Sequence, residues 1–213
     1  MKLTEERIID AGMAEFAESG YHGLSMRGVA QRLDARAGSL YYHVPSKSAL
    51  VQLMADRVAR QAYEAGTAAL AQLDPEAPWQ ERVEAQLVTL RHALRQHPGG
   101  AVMFADSPKV LSTGALALME RVLETLRDGG VPAAHLGVGA DALLSHVTGF
   151  VLQEQSESPS MTVDAEEATA LRQRFPMTVA AAAAPGDDAQ DAKYVQSVRL
   201  LCAGLAALPG TGA

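Results

Sequence analysis

Apolar positions in residues 24–50 follow helical spacing in short runs separated by breaks. Met26, Val29, Ala30 and Leu33 recur at the i, i+3, i+4, i+7 spacing of a helix with one buried face. Ser25 stands just before that run, where a hydroxyl can accept from free backbone N–H groups. After a break at Asp34-Ala35, Leu40 and Val44 give a second, shorter buried face. Ser39, Tyr42 and His43 lie side by side on the opposite face, at i, i+3 and i+4. Small polar, aromatic and imidazole groups on the outer face of so short a helix suit docking on base edges and phosphates. Pro45 cannot continue the hydrogen-bond ladder, Ser46 caps a new helix, and Lys47 sits at its mouth. The pattern predicts a helix-turn-helix.

The rest of the chain also reads as helix. A first helix is expected over 3–19, with Ile8, Ile9, Gly12, Met13 and Phe16 inward, Glu5 and Glu6 in its first turn and Gly20 as its stop. A long fourth helix is expected over 46–70, and residues 74–78 (DPEAP) are the clearest break in composition. Beyond it the spacing predicts helices over 79–96, 110–129, 133–156, 165–181 and 189–208. Breaks are expected at 97–100, 129–132, 158–159 and 185–186. No run of β-branched alternation appears, so the predicted fold is all-α. A helix-turn-helix head over 1–48 precedes a helical bundle over 49–208, the fourth helix links them, and 209–213 form a tail expected to lack order.

Two late helices are too apolar for one neighbour to cover. Leu136, Ala140, Leu143, Val147, Phe150 and Val151 stripe one; Tyr194, Val195, Val198, Leu201, Cys202 and Leu205 stripe the other. The periodicity admits an internal core and a contact with a second copy of the chain equally well.

Charge alters the picture. The 213-residue chain carries a formal net charge of −7, which by itself argues against a nucleic-acid partner. Its distribution reverses that argument. Between residues 26 and 60 stand Arg27, Arg32, Arg36, Lys47, Arg57 and Arg60 against only Asp34 and Asp56, while the acids concentrate beyond residue 60. A locally basic face on an acidic body suits a protein that touches DNA through one end. Cys202 is the sole cysteine, so no intrachain disulfide can form; its apolar neighbours predict a buried, inert thiol. With no leader-like segment and no long uncharged run, the chain is expected to be soluble, cytoplasmic and without a membrane partner. Six histidines (22, 43, 92, 97, 135 and 146) form no HExxH or HxH cluster, and no GxSxG, P-loop or GxGxxG occurs. No metal, cofactor or catalytic site is expected.

MRGVAQRL, a turn and GSLYYHVPSKSAL resemble the N-terminal DNA-binding domain of the tetracycline-repressor family of bacterial transcription regulators. The resemblance covers about residues 4–60 and is most specific in GSLYYHVPSK. Asp34-Ala35 departs from the Gly-Val usual in that turn, but aspartate tolerates a left-handed backbone better than most residues. The resemblance implies DNA contacts at Met26, Arg27, Ala37, Gly38, Ser39, Tyr41, Tyr42, His43 and Lys47. Arg27 is the candidate reader of guanine and Lys47 the candidate phosphate ligand. The resemblance also implies a homodimer on a palindromic operator and a small-molecule pocket in the second domain. The expected lining of that pocket is Trp79, Leu87, Leu90, Met103, Phe104, Leu116, Met119, Leu143, Val147 and Phe150, which suits a largely apolar effector. Tetracycline-binding members hold a drug–magnesium chelate partly through a histidine and a glutamate. Phe104 and Gln153 occupy the loosely equivalent places here, so a different effector is expected. The rival reading is a helical ligand-binding or enzymatic protein with an unused DNA-binding head; the charge map and the polar helix face disfavour it.

Overall fold

The computed structural model describes residues 2–107, 112–156, 164–182 and 187–209. Among them the chain is helical throughout and holds no strand. Three helices make the head: α1 (Glu5–Gly23), α2 (Met26–Arg32) and α3 (Ala37–His43). The long α4 (Lys47–Leu70) leads into α5 (Trp79–Arg95), α6 (Gly100–Asp106), α7 (Thr113–Asp128) and α8 (Ala133–Gln155). The short α9 (Ala165–Arg174) and α10 (Pro176–Ala182) precede the final α11 (Asp187–Ala206).

Capping sets several starts as the sequence suggests. Ser25 Oγ accepts from Gly28 N at 3.0 Å, and Ser46 Oγ accepts from Ala49 N at 3.0 Å. Elsewhere the boundaries differ for local reasons. Gly20 takes a φ of 67°, bending α1 before a last turn to Gly23. The run read as one helix over 165–181 is two, because Phe175 precedes Pro176 and leaves the helical region (φ −131°, ψ 56°). The 97–100 break proved to be a corner between two helices, with Gly99 at φ 71° and α6 starting at Gly100. The helix predicted from 110 begins at Thr113, capped by Ser112; residues 108–111, both later breaks (158–159 and 185–186) and the end of the tail lie outside the described residues.

One helix belongs to both halves. Leu50, Val51, Met54 and Ala55 on the first half of α4 are buried in the core that also holds Ile8, Ile9 and Phe16 of α1, while the helix as a whole packs against α5, α6 and α7. A cap locks it to α7. Asp56 Oδ1 accepts from Ser112 Oγ and from Gly114 N, both at 2.8 Å. A Cβ added at Gly114 would lie 2.8 Å from Arg60 N and Asp56 O, so only glycine permits this approach.

The second bundle closes around a buried charge. Arg91, 6% exposed, donates through Nη2 to Glu154 at 2.5 Å and to Asp191 at 2.7 Å, joining α5, α8 and α11. Its guanidinium lies 4.8 Å from the ring centroid of Tyr194, whose hydroxyl donates to Leu87 O at 2.9 Å. Ala140, Leu143, Val147 and Val151 of α8 and Tyr194, Val198 and Cys202 of α11 are buried in this chain's own core. Most of both predicted stripes therefore face inward, and the large apolar groups left exposed on these helices are Val138, Leu152 and Leu200. By length and composition α8 could cross a membrane; in this structure it packs against α5, α6, α7 and α11. Cys202 is buried as expected, and burial pushes its thiol up to about 11.

Asp56→Ala removes the acceptor that Ser112 Oγ and Gly114 N use at the start of α7 and should destabilise the chain by about 1–2 kcal/mol. Urea unfolding checks this; an unchanged midpoint would show that the cap carries no stability.

Candidate nucleic-acid interface

The turn between α2 and α3 is built from backbone hydrogen bonds: Asp34 N donates to Gln31 O at 3.1 Å and Ala35 N to Ala30 O at 3.0 Å. Asp34 takes a φ of 48°, the left-handed conformation that the sequence places on an aspartate. Leu40 is fully buried and fastens α3 to the head, which leaves the other side of the helix outward.

That outward side carries the expected groups. Tyr42 is 89% exposed and Tyr41 49%, with Gly38, Ser39 and His43 exposed beside them. No atom lies within 4 Å of where a Gly38 Cβ would stand, so this surface is open. The Tyr42 and His43 rings meet edge to face at 5.4 Å. Arg27 is exposed at the start of α2, and Ala37 is half-buried against the core. Met26 departs from expectation: it is 6% exposed and packs inward. Its place on the i, i+3, i+4 stripe with Val29 and Ala30 directs its side chain to the core.

The charge map also sharpens. Arg32 is paired with Glu15 and Glu18, Arg57 with Asp10 and Arg60 with Asp56. Hydrogen bonds that it donates to Glu18 and Glu15 hold the Arg32 guanidinium above its ordinary range. Among the described residues Arg27 and Arg36 make no ion pair, and Arg36 stands exposed at the N-terminal boundary of α3. Lys47 is half-buried. Its Nζ donates to Tyr21 O at 2.7 Å and lies 4.9 Å from the centre of the Tyr21 ring. Tyr21 played no part in the sequence expectation, and a contact across 26 positions leaves no periodic signal. The nearby Asp106 carboxylate pushes the Tyr21 phenol above its ordinary range.

Most of the expected lining is packed against other described residues. Leu87, Leu90, Met103, Phe104, Leu143 and Val147 are each at most 3% exposed and fill the space between α5, α6 and α8. Met119 is partly buried against that core and Leu116 is half exposed. Of the expected lining, Trp79 borders a cavity of about 580 Å³ between α5 and α7, with Arg82, Arg121 and Asp128. Phe150 borders one of about 380 Å³ between α8 and α11, with His146, Gln153 and Lys193. The burial of Leu87 and its neighbours in that core reflects the close packing of large side chains. Among the described residues no three His, Cys, Asp or Glu side chains come together as a metal site would need.

Known proteins resemble both halves. Residues 8–54 match the family of bacterial regulatory proteins described as tetR, and residues 72–208 match the tetracyclin repressor-like C-terminal domain. An HTH-type transcriptional regulator of Saccharopolyspora erythraea is 30% identical, aligned over 98% of this chain and 86% of its own. The class D tetracycline repressor protein of Escherichia coli is 27% identical over 76% of this chain and 71% of its own. The structure of the Streptomyces coelicolor protein ActR in complex with actinorhodin superposes with a TM-score of 0.72 at 26% identity, covering 97% of this chain and 98% of that one.

Since Tyr42 packs on little but His43, Tyr42→Ala should leave folding stability within about 0.5 kcal/mol of the parent. Leu40→Ala, on the buried side of the same helix, should cost about 2–5 kcal/mol. Urea titrations of the two variants would contradict this account of α3 if the order were reversed.

Proposed function

We propose, from the premise that this chain belongs to the tetracycline-repressor family of DNA-binding transcriptional regulators, that it is a repressor that leaves its operator when a small molecule binds the second domain. The observation that carries the reading is the outward face of α3, where Tyr42, His43, Ser39 and Gly38 are exposed and serve no packing role. Each subunit inserts α3 into a major groove, with Arg27 at a base edge and Lys47 at a phosphate. Tyr41 and the half-buried Ala37 line the same approach.

The working unit is a homodimer on a palindromic site. Supporting this are the apolar groups that the single chain leaves uncovered: Val138 on α8, Leu200 on α11, and Leu171, Phe175 and Met177 on α9 and α10. No residue of α9 is buried within its own subunit. Two linked heads also gain affinity that one short helix cannot supply.

The effector is largely apolar and reaches the Leu87–Met103–Leu143 core by parting α5, α6 and α8. Phe104 and Gln153 offer neither an imidazole nor a carboxylate, which speaks against a magnesium chelate as that effector. Movement of those helices is delivered to the head through α4, separating the two heads from successive grooves.

A mobility shift with duplex DNA from the chain's own upstream region tests the reading. Arg27→Ala should cost about 1–3 kcal/mol per half-site and relax preference at one position. Lys47→Ala should weaken all sequences alike and lower the salt slope by about one per subunit. Equal loss for Arg27→Ala on random DNA would make it a backbone contact instead. In sedimentation, Val138→Glu/Leu200→Glu should yield a folded monomer that no longer binds specifically; a persistent dimer would remove this face from the interface.

A further inference from the structure

Two arginines of the second domain border one cavity, and among the described residues no carboxylate pairs with either. Arg121 of α7 donates through Nε to Gln86 Oε1 at 3.2 Å, and through Nη1 to Tyr63 O and Thr67 Oγ1, both at 2.8 Å. Its guanidinium lies 4.2 Å from the centre of the Tyr63 ring. All of these partners are neutral. Nη2 is buried close to Gly66 and has no hydrogen-bond partner among the described residues. Arg82 of α5 donates to Ala77 O at 3.1 Å and to Pro75 O at 2.6 Å, again only to backbone carbonyls. Arg91, also on α5, is by contrast answered by Glu154 and Asp191.

Withdrawing a charge from water without an opposite charge is costly, and burial holds the Arg121 guanidinium below its ordinary range. A negative group in the cavity offsets that cost and takes donors that the chain leaves over, since a guanidinium has five N–H groups and Arg82 uses two. At about 580 Å³, the cavity between α5 and α7 has room for a small organic molecule. Trp79 gives it an aromatic wall, with Gly129 so close to the indole that an added Cβ would collide with it. Glu124 and Asp128 border the cavity too, but both are exposed, and Asp128 already pairs with Arg127.

We propose that this cavity binds an aromatic carboxylate, with the carboxylate held by Arg82 and Arg121 and the ring set against Trp79. Arginine suits that role because its planar fork matches a carboxylate and keeps its charge. Trp79 is the only lining residue shared with the apolar pocket expected from the sequence. The site is separate from the Leu87–Met103–Leu143 core, so the inference depends neither on that core opening nor on DNA binding.

Trp79 is the sole tryptophan of the chain, so its fluorescence reports directly on occupancy. The test titrates the full-length protein with benzoate, the simplest member of the class, at constant ionic strength. Benzamide and inorganic phosphate are titrated in parallel. Benzoate should give a saturable change in emission. Benzamide has the same shape without the charge, and phosphate has charge without a ring; each should bind about tenfold more weakly or worse. Arg82→Gln and Arg121→Gln should each weaken benzoate by about tenfold, the effect of losing a charge-assisted hydrogen bond. Because Arg121 also ties α7 to α4, its variant is titrated well below its thermal midpoint, and Arg82→Gln gives an independent reading. Glu124→Gln, which removes a like charge from the site, should bind benzoate at least as tightly as the parent. A response that never saturates, benzamide or phosphate binding as tightly as benzoate, or parental affinity in both arginine variants would overturn the proposal.

Discussion

Everything in this chain depends on α4 being buried at both ends by different partners. At about 1.5 Å per residue, 24 residues give a rod of about 36 Å. Its beginning shares a core with α1, and its body is walled by α5 and α7. The Asp56 cap and the close approach at Gly114 bind it to α7, while Arg121 on α7 donates to Tyr63 O and Thr67 Oγ1 further along, both at 2.8 Å. A helix so clamped cannot shift within the second domain without carrying the head with it. Rigidity is what lets a binding event in one half have a mechanical consequence in the other.

The head itself divides labour between two sides of very short helices. Leu40, Val29 and Met26 supply the packing, which frees Tyr42, His43, Ser39 and Arg27 from any structural duty. Intramolecular ion pairs engage Arg32, Arg57 and Arg60. The positive charge available to a partner therefore gathers at Arg27, Arg36 and Lys47, around the ends of the reader helices. An overall net charge of −7 does not oppose such a surface, because screening limits the reach of the distant acids to about 10 Å.

Local features were the legible ones. The two reader helices, their serine caps and the left-handed Asp34 follow from residue spacing and backbone preference alone. The seven-residue α6 was not legible: two turns between proline-glycine and the following segment give periodicity too little length to register. Met26 drew two different readings. The resemblance suggested a DNA contact, while its own spacing with Val29 and Ala30 already pointed inward. The resemblance placed Leu87, Met103, Leu143 and Val147 around a ligand chamber; spacing put Leu143 and Val147 on one stripe, but it does not distinguish a packed core from such a chamber. The hydrogen bonds from Lys47 Nζ to Tyr21 O and from Ala101 N to Gln155 Oε1 join residues 26 or more positions apart, where only the fold brings the partners together.

Hydrogen exchange on the full chain, with and without duplex DNA from its upstream region, tests the central claim most directly. Reading by α3 predicts slowed exchange over residues 36–47 in the complex. Protection confined to other surfaces, with 36–47 exchanging as in the free protein, would contradict the account.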